Sequence, residues 1–421
     1  MKILYISQYY PPEMGAPAAR VSELAREWVK RGHQVTVLTA FPHHPHGTKR
    51  REDVGVLTRR EKDGDVDLIR TYVFAARNSG FLWRIVSYVS FMMSAILIGV
   101  WRVGRPDIVI ATSPQLFTGV AGWCMSRLLR APFVFEVRDL WPESIVTVGA
   151  MKESRAIGLL KQLSAFLYRS ADKIITVGPG YRRRILSSYG TEPDKIDVVT
   201  NGVDLQHYRF RLSDRELYRQ KLGMKNETVV LYLGTHGMAH GLDFVMDAAE
   251  KLSNESIRFV FVGDGAEKPT LEKRAIDRGQ SNVTFVPPQD KRAVVGYYAA
   301  CDIALVPLRK VDLFTDVLPS KIFEIMGMQR AMIVSVDGDA RQEVERAGAG
   351  IFVEPENVLE LIQGLQKLAD NPGLREELGI NGRRYVEAHY PRNVLARRYT
   401  EILGNVIDRK SRSAPAVAAR V

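Results

Sequence analysis

The chain is predicted to fold as two doubly wound α/β domains, and three observations carry that expectation. Its 421 residues exceed what one core usually holds, since domains of about 100 to 200 residues are the norm. Short β-branched runs alternate with segments of three-and-four apolar spacing, the pattern of crossover units in a parallel sheet. The alternation breaks at a polar stretch after Asn201-Gly202, a turn signal, and then begins again.

In the first half, strands are expected at 2–6, 34–38, 68–73, 107–111, 133–137 and 173–177. Helices are expected at 18–30, 115–129, 153–169 and 180–188. The junction is placed at the end of residues 1–204, where 205–225 is polar and rich in Arg, Asp and Gln. Strands resume at 229–233, 258–262, 283–286, 303–306 and 332–335, giving a second domain over 205–390. Helices at 359–369, 373–388 and 392–407 follow, the last opening after Tyr390-Pro391. Residues 409–421 lack periodicity and read as a disordered tail.

Hydrophobic residues at 46% and charged residues at 25% suit a globular enzyme and exclude a disordered or many-span membrane chain. The net charge of +11 favours nucleic acid, anionic lipid headgroups or phosphorylated ligands, without choosing among them. Cys124 and Cys301 lie far apart with no CxxC spacing, which argues against a disulfide framework or zinc site and fits a reducing cytoplasm. Residues 85–101 carry no charge and are bracketed by Arg84 and Arg102. As a helix they would span about 25 Å, short of the roughly 30 Å hydrocarbon core. Ser87, Ser90 and Ser94 form a small-residue stripe within them. The segment 81–101 is therefore either a membrane-surface contact flanked by Arg84, Arg102 and Arg105, or a wholly buried core helix.

The chemistry concentrates where strands end. Arg309, Asp316, Lys321 and Glu324 surround a strand end running into a helix, where free N–H groups and cations suit a diphosphate and carboxylates suit sugar hydroxyls. A sugar nucleotide carries both kinds of group. Gly234-Thr-His-Gly-Met-Ala-His-Gly241 and Gly263-Asp264-Gly265 are glycine turns on neighbouring strand ends of the same sheet. Tyr9 to Arg20 connects the first strand to the first helix, and Gly15 would let backbone approach a phosphate; an ordinary Pro-rich connector explains it as well. Glu136, Arg138, Asp139 and Glu143 crowd charge into one strand-end loop, either as an acceptor-side site led by Asp139 or as a salt-bridged corner under Trp141. His236 with His240, and the run from His43 to His46, lack carboxylate or cysteine partners at ligand spacing, so no metal site is expected.

These motifs, together with Pro319-x-Lys321-x-x-Glu324, resemble the GT-B glycosyltransferases of the retaining family 4 kind. The stretch Gln8-Tyr-Tyr-Pro-Pro-Glu-Met-Gly-Ala-Pro17, Val137-Arg-Asp-Leu-Trp-Pro142 and Gly234-Thr-His-Gly-Met238 bring the chain closest to bacterial surface-polysaccharide members similar to the fucosaminyltransferases of O-antigen assembly. The resemblance implies two Rossmann-like domains facing a central cleft, with a C-terminal helix at 391–408 returning to the first domain. It implies catalytic roles for Asp139, Asp316 and Glu324. Donor binding would fall to Gly15, Gly234, His236, Gly237, Gly263, Asp264, Arg309, Lys321 and Glu324, the last on the ribose diol. Arg20, His44, Arg138 and Asp139 would face the acceptor.

Asp316 stands where the family normally has Glu, histidines replace the basic pair of the glycine loop, and Arg138 replaces a frequent His. Transfer by same-face attack is implied, from a UDP-sugar with an N-acetylated deoxyhexose to a polyprenyl-diphosphate-linked saccharide. Neither a metal nor a further cofactor is implied, nor nucleic acid. The expected place is cytoplasmic, peripheral at the inner face of the bacterial plasma membrane. A sugar-nucleotide 2-epimerase of the same shape and a non-catalytic binding protein are the competing readings.

Overall fold

The computed structural model describes residues 1–413 apart from Met14, 44–46, 76–80, Val148 and Ala150, and for Phe81 and Ser413 the backbone alone. Residues Met1–Thr200 with those from Asn393 onward form one compact unit, and Asn201–Arg392 form the other. The chain thus passes between units at 200/201 and 392/393, rather than at 204/205 and 390/391.

The first unit holds β1 (Lys2–Ile6), β2 (Gln34–Ala40), β3 (Thr58–Asp63), β4 (Val66–Thr71), β5 (Ile108–Thr112), β6 (Phe133–Val137), β7 (Lys173–Thr176) and β8 (Ile196–Val198). They lie in the order β3-β4-β2-β1-β5-β6-β7-β8. Its helices are α1 (Ala16–Lys30), α2 (Phe81–Leu97), α3 (Leu116–Leu128), α4 (Glu143–Thr147), α5 (Arg155–Ser170) and α6 (Pro179–Tyr189). Central strands β5 and β6 bury every residue, as strands must when helices cover both faces of a parallel sheet. The β3 strand, Thr-Arg-Arg-Glu-Lys-Asp, was not expected: it pairs antiparallel with β4 at the sheet edge, where charge is tolerated and guards against further pairing.

The second unit holds α7 (Leu212–Lys221), β9 (Thr228–Leu233), α8 (Leu242–Lys251), β10 (Ile257–Val262), α9 (Lys268–Asp277), β11 (Val283–Val286), α10 (Lys291–Ala300) and β12 (Ile303–Pro307). It continues through α11 (Lys321–Gly327), β13 (Ala331–Ser335), α12 (Asp339–Ala347), β14 (Gly350–Phe352), α13 (Val358–Asp370) and α14 (Pro372–His389). Its strands run in parallel in the order β11-β10-β9-β12-β13-β14. Helix α7 falls in the stretch read as a polar junction, because it lacks an apolar stripe; Arg215 and Arg219 instead pair with Asp302 at 2.7 and 3.1 Å.

The last helix, α15 (Arg392–Ser413), packs within the first unit. Trp28 donates its indole N–H to Ala396 O at 3.1 Å and meets the Tyr399 ring edge-on at 5.1 Å. Lys410 pairs with Asp172, so residues 409–413, expected in the tail, continue the helix. The rest of that expected tail lies outside the described residues.

Helix α2 overturns one of the two readings made of it. It is not a wholly buried core helix, because Leu82, Trp83, Met93 and Leu97 are exposed, as is Trp101 beyond its end. On its inner side Phe91 and Ala95 are fully buried. The serine stripe faces inward, with Ser87 Oγ accepting from Gln8 Nε2 at 3.3 Å and Ser94 Oγ lying 3.1 Å from Thr71 Oγ1. Leu82–Trp101 is long and apolar enough to cross a membrane by length and composition, with 28% of it buried.

One charged pair lies at the centre of the first sheet. Glu136 on β6 is fully buried, and Arg20 on α1 donates to it at 2.9 Å while also donating to Val199 O and Thr200 O. Tyr5 on β1 donates to the other carboxylate oxygen at 2.6 Å. Burial pushes the Glu136 carboxyl up, but the Arg20 and Arg138 guanidiniums and the Tyr5 hydroxyl outweigh it and hold the group below its usual range. Removing one partner strands the other charge. Arg20→Met is expected to destabilise the first unit by about 3 to 5 kcal/mol, read by denaturant titration. A loss below about 1 kcal/mol, the scale of a surface pair, would show that the network does not carry the packing.

Candidate functional site

The second unit gathers its polar groups at the carboxyl ends of β9, β10 and β12. Two glycines make the approach possible. Gly234, at φ 149, leaves room where a Cβ would lie 2.9 Å from Lys321 Nζ. Gly263, at φ 144, passes so close to Gly234 O that a Cβ would stand 2.0 Å from it. The two loops are then stitched by His236 N donating to Asp264 O at 2.8 Å and Glu267 N donating to His236 O at 2.9 Å. Asp264 itself accepts from Gly265 N through Oδ1 at 2.8 Å, which shapes its own turn.

Lys321 and Glu324 share the first turn of α11. The Lys321 ammonium makes no hydrogen bond and sits 4.4 Å from the centre of the Tyr232 ring. Burial lowers its pKa to about 8, against the opposing pull of Glu324. Burial likewise raises the Glu324 carboxyl, opposed by the Tyr208 and Tyr298 hydroxyls and by Lys291 and Lys321. Tyr298 on α10 donates to Glu324 Oε2 at 3.2 Å. Arg309, just beyond β12, places Nη2 3.5 Å from Glu267 Oε1 and 3.9 Å from Asp243 Oδ2, while its Nε has no partner. Asp316 closes the 3-10 turn Asp312–Asp316 and is largely buried. Gly338 packs so tightly on that turn that a Cβ would meet Thr315 O at 2.0 Å.

Two expected donor residues change role. The His236 ring is fully buried, its centre 6.2 Å from those of Phe261 and Phe285, and both ring nitrogens lack partners. Its environment lowers the pKa to about 4, with burial as the main cause and nearby Lys268 adding to it. The ring is a buried neutral imidazole, and it is the His236 backbone that stitches the two glycine loops together. Gly237 has an ordinary φ of −115, and a Cβ there would touch only Thr235 at 3.4 Å, so the turn does not demand glycine. The left-handed turn position is Gly241, at φ 54, which leads into α8. Tyr208, Tyr232, Glu267 and Tyr298 were missed by sequence reasoning. Their signal was faint: a buried tyrosine in an apolar pattern reads as core, although its hydroxyl still needs a partner.

In the first unit, Arg138 and Asp139 follow β6 as expected. Arg138 N donates to Ser113 Oγ at 2.9 Å and its Nη1 to Pro17 O at 3.3 Å. Asp139 Oδ2 accepts from Ser144 Oγ at 3.0 Å, and burial pushes its carboxyl up. Gly15, exposed and at φ 127, precedes α1. Arg20 is a correction: it is almost fully buried and bound to Glu136 and two carbonyls, so it holds the fold and does not face a ligand. His44 lies outside the described residues. Its neighbour His43 is buried against Glu13 at 3.5 Å, with Ser87 Oγ at 3.4 Å from Nε2. Among the described residues no group of three or more His, Cys, Asp or Glu side chains could hold a metal ion.

Comparison with known proteins accounts for both units. Residues 15–202 match the glycosyl transferase 4-like domain, and residues 214–385 match the glycosyl transferases group 1. The chain is 26% identical over 377 residues to the "Putative colanic acid biosynthesis glycosyl transferase WcaI" of Escherichia coli (strain K12), covering 87% of this chain and 92% of that one. Among solved structures it is similar to Anabaena Alr3699/HepE in complex with UDP and glucose, with a TM-score of 0.73, 17% identity, and 96% and 99% of the two chains covered. It is also similar to WaaG, a glycosyltransferase involved in lipopolysaccharide biosynthesis, with a TM-score of 0.69, 18% identity, and 95% and 99% covered. An epimerase is not favoured by these relatives. With two Rossmann-like domains, each matched by a glycosyltransferase model, the chain belongs to the glycosyltransferases of GT-B fold.

Proposed function

We propose that the protein is a metal-independent, retaining glycosyltransferase that moves a sugar from a UDP donor to a polyprenyl-diphosphate-linked saccharide in surface-polysaccharide assembly. The carrying observation is Lys321: a buried ammonium without a hydrogen-bond partner, poised over Gly234 and one helical turn from Glu324. A buried cation left unpaired is expensive, and an anionic ligand supplies the missing partner. In this proposal Lys321 and Arg309 take the diphosphate, Glu324 takes the ribose hydroxyls, and Asp316 is assigned to the sugar. Uridine as the base is drawn from HepE, which was captured with UDP. The saccharide acceptor follows WcaI and WaaG, whose names place them in colanic acid and lipopolysaccharide biosynthesis.

In this reading the departing diphosphate gathers charge beside fixed cations, which stabilises it without an ion. Arg138 and Asp139 face the acceptor. The acceptor hydroxyl attacks from the face the diphosphate leaves and gives its proton to the leaving phosphate, so no enzyme nucleophile is required. The sugar is an N-acetylated deoxyhexose in our reading. The exposed side of α2, with Arg84, Arg102 and Arg105 near it, rests on an anionic cytoplasmic leaflet and brings the site to a lipid-borne acceptor.

Three outcomes are expected. Glu324→Ala should weaken donor affinity or turnover at least about tenfold, the scale of one charge-assisted hydrogen bond, and UDP affinity should fall as pH rises through the Lys321 pKa of about 8, where the cation is lost. Lys321→Met should abolish that alkaline limb; full UDP affinity in both variants would remove the assignment. Transfer should continue in a strong chelator, and activity restored only by Mg²⁺ or Mn²⁺ would refute the metal-free reading. Finally, the protein should float with anionic liposomes at low salt, and Trp83→Ser with Leu97→Ser should reduce flotation while leaving the thermal melt in place. Equal flotation of that folded variant would refute the membrane contact.

A further inference from the structure

Glu324 does not stand alone in its pocket. Tyr298 sits on α10, almost fully buried, and donates to Glu324 Oε2 at 3.2 Å. Tyr208 approaches the same carboxylate from the segment that precedes α7, and its ring meets that of Tyr298 at 6.4 Å. Each tyrosine is fixed from behind. The Asp290 side chain caps α10 through Arg292 N and Ala293 N at 2.9 and 2.8 Å. Arg383 on α14 ties Tyr208 to the end of α11 by donating to Tyr208 O at 2.7 Å and Gly327 O at 2.6 Å. Gly327 fits under Tyr208, where a Cβ would lie 3.3 Å from the tyrosine Cβ. Two phenols, one on α10 and one on a turn anchored by Arg383, thus converge on one carboxylate that is only partly exposed.

We propose that Tyr298 and Tyr208 are positioning residues whose hydroxyls hold the Glu324 carboxylate in place for the ribose diol of the donor. This rests on the assignment of Glu324 to the ribose. A carboxylate on a flexible side chain loses rotamer freedom when it binds, and donors that fix it beforehand remove that cost from the binding step. The same hydroxyls favour the ionised form, which alone accepts both ribose O–H groups. The groups that act on Glu324 are Tyr208, Tyr298 and Lys291 from neighbouring elements and Lys321 from its own helix. With burial already raising this carboxyl, removing a hydroxyl donor moves its titration further toward neutral pH.

The test is the UDP dissociation constant measured by calorimetry from the acid range to neutral pH, for the wild type, Tyr298→Phe, Tyr208→Phe, the double variant and Glu324→Ala. Phenylalanine keeps the rings that pack on one another, so loss of the hydroxyl is isolated. Each single variant should bind about three- to tenfold more weakly, and the pH below which binding fails should move upward. A merely structural tyrosine would lower the melting temperature without moving that pH. Unchanged affinity and unchanged acid limb in both single variants, with wild type binding UDP and Glu324→Ala impaired, would overturn the clamp alone. Wild type failing to bind UDP, or Glu324→Ala binding it fully, would overturn the donor-site reading and this inference with it.

Discussion

Parallel strand pairing is the constraint on which the rest of the molecule depends. Apart from β3, every strand in both sheets runs parallel to its neighbours, so each must be followed by a crossover that returns the chain to the same starting edge. The carboxyl ends of the parallel strands of a sheet then lie on one edge, and the loops leaving them gather there. In the second unit this collects Gly234 from the end of β9, Gly263 from β10 and Arg309 from β12. None of these is near another in sequence. Their proximity is a property of topology, and the glycines are present because side chains there would collide with the neighbouring loop.

Two clusters of buried charge, one in each unit, are treated in opposite ways. In the first, Glu136 is enclosed but met by Arg20 and Tyr5, and Arg20 completes its hydrogen bonding on Val199 O and Thr200 O. Both members of this pair are answered inside the protein. That is the condition under which a buried pair is tolerated. In the second, Lys321 is answered only by the face of Tyr232 and the field of Glu324, and the Nε of Arg309 is unanswered. A fold gains nothing from leaving such groups open. The difference between a closed network and an open one, rather than charge itself, marks where a ligand belongs.

The alternation of strands and helices was legible because a strand buried on both faces leaves a continuous apolar run, as in Ile-Val-Ile-Ala of β5. The glycine turns were legible because few residues tolerate those dihedrals. Reading failed where local pattern and tertiary use diverge. Arg20, on a strand-to-helix connection beside other site residues, looks like a ligand contact, and only the structure shows it turned inward onto Glu136. His236 sits in a loop of the right kind, yet its ring is buried edge-on against the stacked rings of Phe261 and Phe285. β3 and α7 escaped because edge strands and ion-paired helices carry the charge patterns of loops. Which face of α2 is covered was likewise invisible, since a stripe of serines suits close packing and exposure alike and the rest of the helix is largely apolar.

The placement of Lys321 and Glu324 three residues apart explains how an open site is compatible with a stable fold. At that spacing two side chains lie on one helix face with Cβ atoms about 5 to 6 Å apart, close enough for opposite charges to moderate each other's burial. Glu324 raises the pKa of Lys321, and Lys321 lowers that of Glu324, so each favours the other's charged form against desolvation. The pairing is electrostatic without being a closed salt bridge. The ammonium keeps its hydrogen-bond donors, and the carboxylate is tethered by tyrosine hydroxyls, which carry no charge of their own. A ligand presenting an anion beside two hydroxyls can therefore engage both groups without first breaking a bond between them, which is why the same pair that moderates the cost of burial remains available for recognition.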